Sequence, residues 1–253
     1  MVNIAEGFSG APKRVLKGAD VIPISDSPRR RSFPWVTILI IALNIAVFLY
    51  ELTLNGTQLD RFTQSVGVVP VEISTGRDIP PADPGPVYVT LLTSMFVHGG
   101  FLHIASNMLY LWVFGDNVED AFGHLGYLLF YLVTGVVAGL TQVLINTTAT
   151  VPSIGASGAI AGVLGAYLLL YPRADVRTIL FIGPFLTVPR ISALFLIGFW
   201  FLTQLLSGVA ALEVSTQQTG GVAFWAHIGG FISGFVLALV FRPRRAAVSR
   251  TAW

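Results

Sequence analysis

Stretches without a single Asp, Glu, Lys or Arg cover residues 32–50, 84–115, 121–172, 191–212 and 214–241. Each is apolar along its length and does not alternate, the pattern of a helix that is hydrophobic all round, and a membrane-spanning helix needs about 20 such residues. The run 121–172 has room for two, separated by the polar and proline-marked break Asn146–Pro152. The pattern predicts six helices, near 35–54, 101–119, 123–145, 157–172, 190–207 and 222–241. Helices are preferred over a membrane barrel because a barrel strand alternates lipid-facing and lumen-facing residues.

Composition agrees. With 54% hydrophobic and 11% charged residues, the chain lies far from a soluble domain, in which about a quarter of residues are charged. The expected fold class is all-α: a polytopic membrane protein, a bundle of six transmembrane helices with an interfacial first loop. The expected division is an N-terminal tail over 1–33, a six-helix domain over 34–242 and a C-terminal tail over 243–253. The first apolar run is read as a retained helix and not as a signal peptide. The absence of cysteine excludes disulfides and thiolate catalysis.

Charge placement orients the bundle. Lys13, Arg14, Lys17, Arg29, Arg30 and Arg31 precede the first predicted helix; Arg173, Arg177 and Arg190 lie between the fourth and fifth; Arg242, Arg244, Arg245 and Arg250 follow the sixth. By the positive-inside rule both tails are expected on the cytoplasmic side, with the loops 55–100, 146–156 and 208–221 opposite. Loop 55–100 mixes Gly, Pro and acidic residues with apolar patches and is expected to lie partly in the interface. Stretch 178–189 is too short and interrupted to span, and is expected as an interfacial segment before the fifth helix. A net charge of +2 gives no reason to expect a nucleic-acid partner; membrane lipid is the expected surroundings, and a bacterial plasma membrane fits better than an organelle.

Polar residues inside spans are costly there and usually face the bundle interior. Four sets stand out: His103 with Asn107, four apart on one helix face; Ser157 in Gly155-Ala156-Ser157-Gly158; His227 in Ala226-His227-Ile228-Gly229-Gly230; and the glycines around the last two. Taken singly, a membrane serine more often bonds its own backbone and a glycine pair more often serves packing. Together they suggest more. Gly158-x-x-x-Gly162 and Gly230-x-x-x-Gly234 would let the fourth and sixth helices touch backbone to backbone, bringing Ser157 to His227. An imidazole beside a serine can take its proton and later return it to a leaving amine. The predicted fourth and sixth helices carry no Asp or Glu, so a dyad is expected and not a triad. His103, Asn107 and the Ser157 amide are candidate donors for an oxyanion.

The order Gly155-Ala156-Ser157-Gly158, His103-x-x-x-Asn107 upstream and His227-x-x-Gly230-x-x-x-Gly234 downstream resembles the rhomboid family of intramembrane serine proteases over roughly residues 35–241. The resemblance implies Ser157 as nucleophile and His227 as general base, with His103, Asn107 and the Ser157 amide as oxyanion site. It implies supporting roles for His98, Gly155, Gly158, Gly230 and Gly234, and a structural role for Glu119. Transmembrane proteins are the implied substrates, with no cofactor and no metal. Val89-Thr90 stands where the family often has Trp-Arg, and Ala161 where an aromatic ring often supports the histidine. The alternative is a catalytically silent rhomboid-like binder or escort of transmembrane helices. A transporter would call for paired intramembrane charges or broken helices at symmetric positions; the predicted fourth to sixth helices contain no Asp, Glu, Lys or Arg, and the sequence shows no internal repeat.

Overall fold

The computed structural model describes residues 21–28, 30–83, 85–182, 185–213, 222–241 and 243. The expected tails at 1–20 and 244–253, most of the basic residues in them, and residues 214–221 of the last loop lie outside the described residues. The chain is mostly helical. Six helices fall where the apolar runs predict them: α1 (Trp35–Glu51), α5 (Phe101–Phe122), α6 (His124–Ile145), α7 (Ser157–Leu170), α8 (Ala193–Ala210) and α9 (Phe224–Phe241). Three short helices, α2 (Gly56–Val66), α3 (Pro70–Thr75) and α4 (Thr90–Thr93), fold the first loop. Among the described residues, α6, α8 and α9 are long and apolar enough to cross a membrane; residues Val87–Phe96 with α5, bent by 83°, would make a fourth span. Helices α1 and α7 are apolar but shorter, at 17 and 14 residues.

Local signals place the short helices. Asn55 and Gln58 close a reciprocal capping box at the start of α2, each side chain accepting from the other's backbone N–H at 3.0 Å. Pro70 opens α3, and Gly76 ends it with φ 67°, a left-handed C-cap that glycine adopts without strain.

The departure from an all-helical chain is a small antiparallel sheet. Strand β1 (Val21–Asp26) pairs with β2 (Asp175–Ile182), which also pairs with β3 (Phe185–Thr187) and β4 (Arg190–Ser192). Residues 178–182 and 185–187 of the expected interfacial segment lie in β2 and β3, and residues 21–26 of the expected tail form an edge strand, regular structure that the sequence pattern does not predict. Short β-rich stretches such as Val21-Ile22-Pro23-Ile24 carry little periodicity of their own; their pairing is supplied by a partner about 150 positions away, which no local pattern reveals.

Acidic side chains on the last turns of α5 hold this end together. Glu119, fully buried, accepts from the backbone N–H groups of Val36 and Thr37 at 2.9 and 2.8 Å and from the Thr37 hydroxyl at 2.7 Å. These amides belong to the first turn of α1, which has no acceptors of its own, so the carboxylate caps the helix across the fold. His124 Nδ1 lies 2.6 Å from the same carboxylate. Asp120 takes the amides of Arg31 and Ser32 and the Ser32 hydroxyl, and Asp116 pairs with Arg30 at 3.2 Å. Asp26, in β1, accepts from Asn117 Nδ2 at 2.9 Å and from the Tyr167 hydroxyl.

The core lies between α5, α6, α7 and α9, with Leu111, Phe114, Tyr127, Tyr131, Tyr167 and Tyr171 almost wholly enclosed. Its tightest contact is α7 against α9. A Cβ at Gly230 would fall on the Gly158 carbonyl, one at Gly234 on the Gly162 carbonyl, and one at Gly165 on the Phe231 carbonyl. The two small-residue stripes meet as their spacing suggests.

Two outcomes follow. Gly234→Val drives a branched side chain into the Gly162 backbone, which cannot yield, and is expected to cost about 3 kcal/mol or more; Gly198→Ala, with nothing within 4 Å of the added carbon, is expected to be neutral or slightly stabilising. Thermal unfolding in detergent compares them. The second concerns Asp26, whose carboxyl burial pushes up to about 7, the Tyr167 bond opposing and Asp116 adding to the rise. A carboxyl with a folded-state pKa above its unfolded value binds its proton more tightly when folded, so stability is fully present below about 4 and is lost as pH rises towards 7. The midpoint is expected to fall over that window in the wild type, and this contribution to be absent in Asp26→Asn.

Candidate active site

Ser157 is the first residue of α7, and the turn before it is set by Gly155. That glycine has φ 117°, and a Cβ on it would sit 2.6 Å from His103 Nε2 and 3.7 Å from Asn107 Nδ2. Both backbone conformation and space therefore demand glycine. The Gly155 amide donates to the Ser94 carbonyl at 2.8 Å, and Val68 and Ser153 exchange two backbone bonds of 3.0 and 2.8 Å. The strand-like segment before the serine is thus pinned to the first loop on one side and to α4's C-terminal turn on the other.

His227 lies in the first turn of α9. Its Nε2 is 2.8 Å from Ser157 Oγ and its Nδ1 is 2.7 Å from Gln204 Oε1. An amide oxygen only accepts, so Nδ1 carries the proton and donates it to Gln204. Nε2 is then the free lone pair, and Ser157 donates its hydroxyl proton to it. Trp200, one turn before Gln204 on α8, places its ring 5.9 Å from the imidazole centroid. The ring beside the histidine comes from α8 and not from the α7 position occupied by Ala161, which is fully buried.

His103 and Asn107 lie on the first turns of α5, beside Gly155. The Gly99 amide donates to His103 Nδ1 at 3.3 Å, which leaves the ring proton on Nε2. Asn107 is 7% exposed, and its Nδ2 is a buried donor without a partner among the described residues. Two N–H donors thus converge near the backbone of Gly155. The Ser157 amide, in the first turn of α7, also has no acceptor within its helix. A recess of about 40 Å³ borders the serine, lined by Ser94, Ser153, Gly155, Ser157 and Ala226. It has the volume to admit a water molecule, which needs about 10–15 Å³ by that measure.

Of the residues read from the sequence, Ser157, His227, His103, Asn107, Gly155, Gly158, Gly230 and Gly234 all fall in or directly behind this site. His98 does so one layer away: it is 3% exposed, its ring meets His103 edge-on at 5.0 Å, and its backbone amide donates to Glu51 at 3.1 Å. Gln204 and the placement of Trp200 escaped the sequence reading. The available signal was Thr203-Gln204, a pair of polar residues in an otherwise apolar span. Other aromatic side chains on α8 differ in placement: Phe195 and Phe199 are exposed at 72% and 66%, whereas Phe201 stacks on Phe231 at 4.2 Å.

Comparison with known proteins agrees with a mostly helical membrane fold. The Rhomboid domain family model matches residues 86–244. RHOMBOID-like protein 1 of Arabidopsis thaliana is 28% identical over 236 residues, covering 86% of this chain and 56% of the relative. Rhomboid protease GluP of Bacillus subtilis is 32% identical over 205 residues, covering 81% of this chain and 34% of the relative. Rhomboid protein 1, mitochondrial, of Saccharomyces cerevisiae is 30% identical over 152 residues, 58% of this chain and 40% of the relative. This chain spans about half the length of the first of these relatives. With the family model matching well over half of its residues, and membrane-spanning helices beneath the match, the chain belongs to the rhomboid family.

Proposed function

We propose that this protein is an intramembrane serine endopeptidase that hydrolyses peptide bonds in or beside transmembrane segments of other membrane proteins. The observation that carries the reading is the 2.8 Å contact between His227 Nε2 and Ser157 Oγ, with Gln204 holding the proton on the far nitrogen. That is the tautomer a general base requires.

In this reading Ser157 Oγ attacks the scissile carbonyl carbon as Nε2 removes the hydroxyl proton. A C–O bond forms, and the carbonyl π electrons move onto oxygen. The resulting oxyanion accepts from His103 Nε2–H, Asn107 Nδ2–H and the Ser157 amide, donors aimed before the charge develops. Collapse breaks the C–N bond, and the imidazolium gives its proton to the departing amine. A water molecule then attacks the ester carbonyl of the acyl-enzyme, again losing its proton to Nε2, and Ser157 Oγ leaves with the proton returned. Every proton taken is given back, and no step calls for a metal or another cofactor.

Six spans with both tails cytoplasmic follow from the apolar runs and the flanking arginines. The serine then lies near the outer end of α7, within reach of water from that face. A bacterial plasma membrane suits this arrangement, and the resemblance to the rhomboid family implies substrates with small residues at the cut and helix-destabilising residues nearby. A binder that escorts transmembrane helices has no use for a serine hydroxyl bonded to a correctly protonated imidazole; if cleavage were absent and binding retained, that reading would replace this one.

Reconstituted protein with a single-span substrate tests the proposal. Ser157→Ala and His227→Ala are each expected to lower cleavage by at least about 10³-fold while unfolding as the wild type does. Labelling by a serine-directed fluorophosphonate is expected to disappear in both. Gln204→Leu is expected to lower kcat about 10–100-fold by releasing the tautomer, with the acidic limb of the pH–rate profile displaced and with substantial rescue in Gln204→Glu, which restores an acceptor. An unaltered pH profile in Gln204→Leu would show that Gln204 does not position the base.

A further inference from the structure

Away from the serine and histidine, the first loop contains a cluster of carboxylates that no cation among the described residues balances. Glu72, in α3, is 2% exposed. Its Oε1 accepts from the Ile79 amide at 3.1 Å, while Oε2 is shielded from solvent and has no partner. Asp78 accepts from the Asp83 amide at 3.1 Å. Both carboxylate oxygens of Asp83 are likewise shielded and unpartnered. One oxygen from each of the three side chains lies within 4.8 Å of those from the other two. The ion pairs among the described residues are Arg30–Asp116 and His124–Glu119, and neither involves this cluster.

Glu72 is buried and Asp83 half-buried, whereas Asp78 is exposed; like charges held this close, with two of them shielded from water, favour uptake of a proton or a cation, because both desolvation and mutual repulsion penalise them. Their effect is visible in Asp83, pushed up to about 6 by burial and by the charges of Glu72 and Asp78, and in Glu72, raised by burial and by Asp78. We propose that Glu72, Asp78 and Asp83 bind a calcium ion that fastens residues 76–83 onto α3.

Calcium fits for three reasons. Its oxygen ligands sit about 2.3–2.6 Å from the metal, so two oxygens on one ion are at most about 5 Å apart, and the three carboxylates can reach a single ion with little rearrangement. Zinc sites draw on imidazole and thiolate, and the cluster has neither. Magnesium demands a near-ideal octahedron, which carboxylates from one short helix and an irregular proline-containing loop are poorly suited to supply; calcium tolerates uneven geometry and completes its shell with water or backbone carbonyls.

The location gives such an ion a structural consequence. The Val71 amide donates to the Ala149 carbonyl at 3.1 Å and the Ser74 hydroxyl to the Thr147 carbonyl at 2.8 Å. Helix α3 is thereby tied to the loop that leads to Ser157. An ion at Glu72 steadies the outer support of that loop without touching the reacting groups, and its binding does not depend on whether the protein cleaves anything.

Thermal unfolding of the full-length protein in detergent, stripped with EDTA and exchanged into chelator-free buffer, tests the site. Titration with CaCl₂ at constant ionic strength is expected to raise Tm by about 5 °C at about 10 mM, the rise setting in at about 0.1–1 mM and continuing with the logarithm of the calcium concentration. Glu72→Gln and Asp83→Asn are expected to lose the calcium-dependent rise and, without calcium, to unfold no lower than wild type, since they remove repulsion. Absence of a calcium-dependent rise in the wild type, or an equal rise in the folded variants, overturns the proposal. MgCl₂ matching CaCl₂ overturns the assignment to calcium. Isothermal titration of the wild type with CaCl₂ gives an arm independent of variant folding: one ion per chain is expected, and no saturable binding overturns the site.

Discussion

The rest of the molecule depends on how closely α7 and α9 approach. Gly158, Gly162 and Gly165 face Gly230, Phe231 and Gly234 with no side chain between the backbones where the glycines meet. Lipid offers helices no hydrophobic reason to associate, so close van der Waals contact must supply it, and only glycine allows such contact. Ser157 stands one residue before the first glycine of one stripe, and His227 three residues before the first glycine of the other. The hydrogen bond between them follows from the register of the stripes. Packing and chemistry are therefore not separable here: a β-carbon at Gly230 or Gly234 would push apart the helices that carry both groups.

Orientation of the imidazole is a separate problem, solved from a third helix. A serine–histidine pair is only as useful as the tautomer it holds, and α8 contributes both an acceptor, Gln204, and a ring, Trp200, to one side of His227. A neutral amide here avoids placing a carboxylate in a region of low dielectric, where an unpaired charge is expensive. His103 receives the converse treatment: a backbone amide occupies its Nδ1 and leaves Nε2–H directed towards Gly155. The two histidines thus present the same ring nitrogen, Nε2, in opposite protonation states, one as acceptor and one as donor, because of what each meets at Nδ1.

Helix α5 links the two ends of the fold. Its first turns carry His103 and Asn107, and its last turns carry Asn117, which donates to Asp26 in β1, and Asp116, Glu119 and Asp120, which grip the residues after β1 and the start of α1. Each of these acids finds amides, hydroxyls or arginine to satisfy it. The sheet formed by β1 with β2, β3 and β4 lies against the same end.

What the sequence determined by itself is what repeats or what is costly. Long charge-free runs marked the helices, Gly-x-x-x-Gly spacing marked the α7–α9 contact, and Ser157, His227, His103 and Asn107 stood out because polar groups are rare in such surroundings. Glu119 was legible as structural, although its donors on α1 were not. The tertiary structure alone decided the β-sheet, since β1 finds its partner across most of the chain. It alone brought Gln204 and Trp200 to His227, turned His98 to a layer behind the site, and gathered Glu72, Asp78 and Asp83. The physical reason is common to these cases. A helix or a close-packed stripe is specified by residues three or four apart, whereas a hydrogen bond between side chains on different elements is specified by the positions of whole elements, which only the assembled core sets.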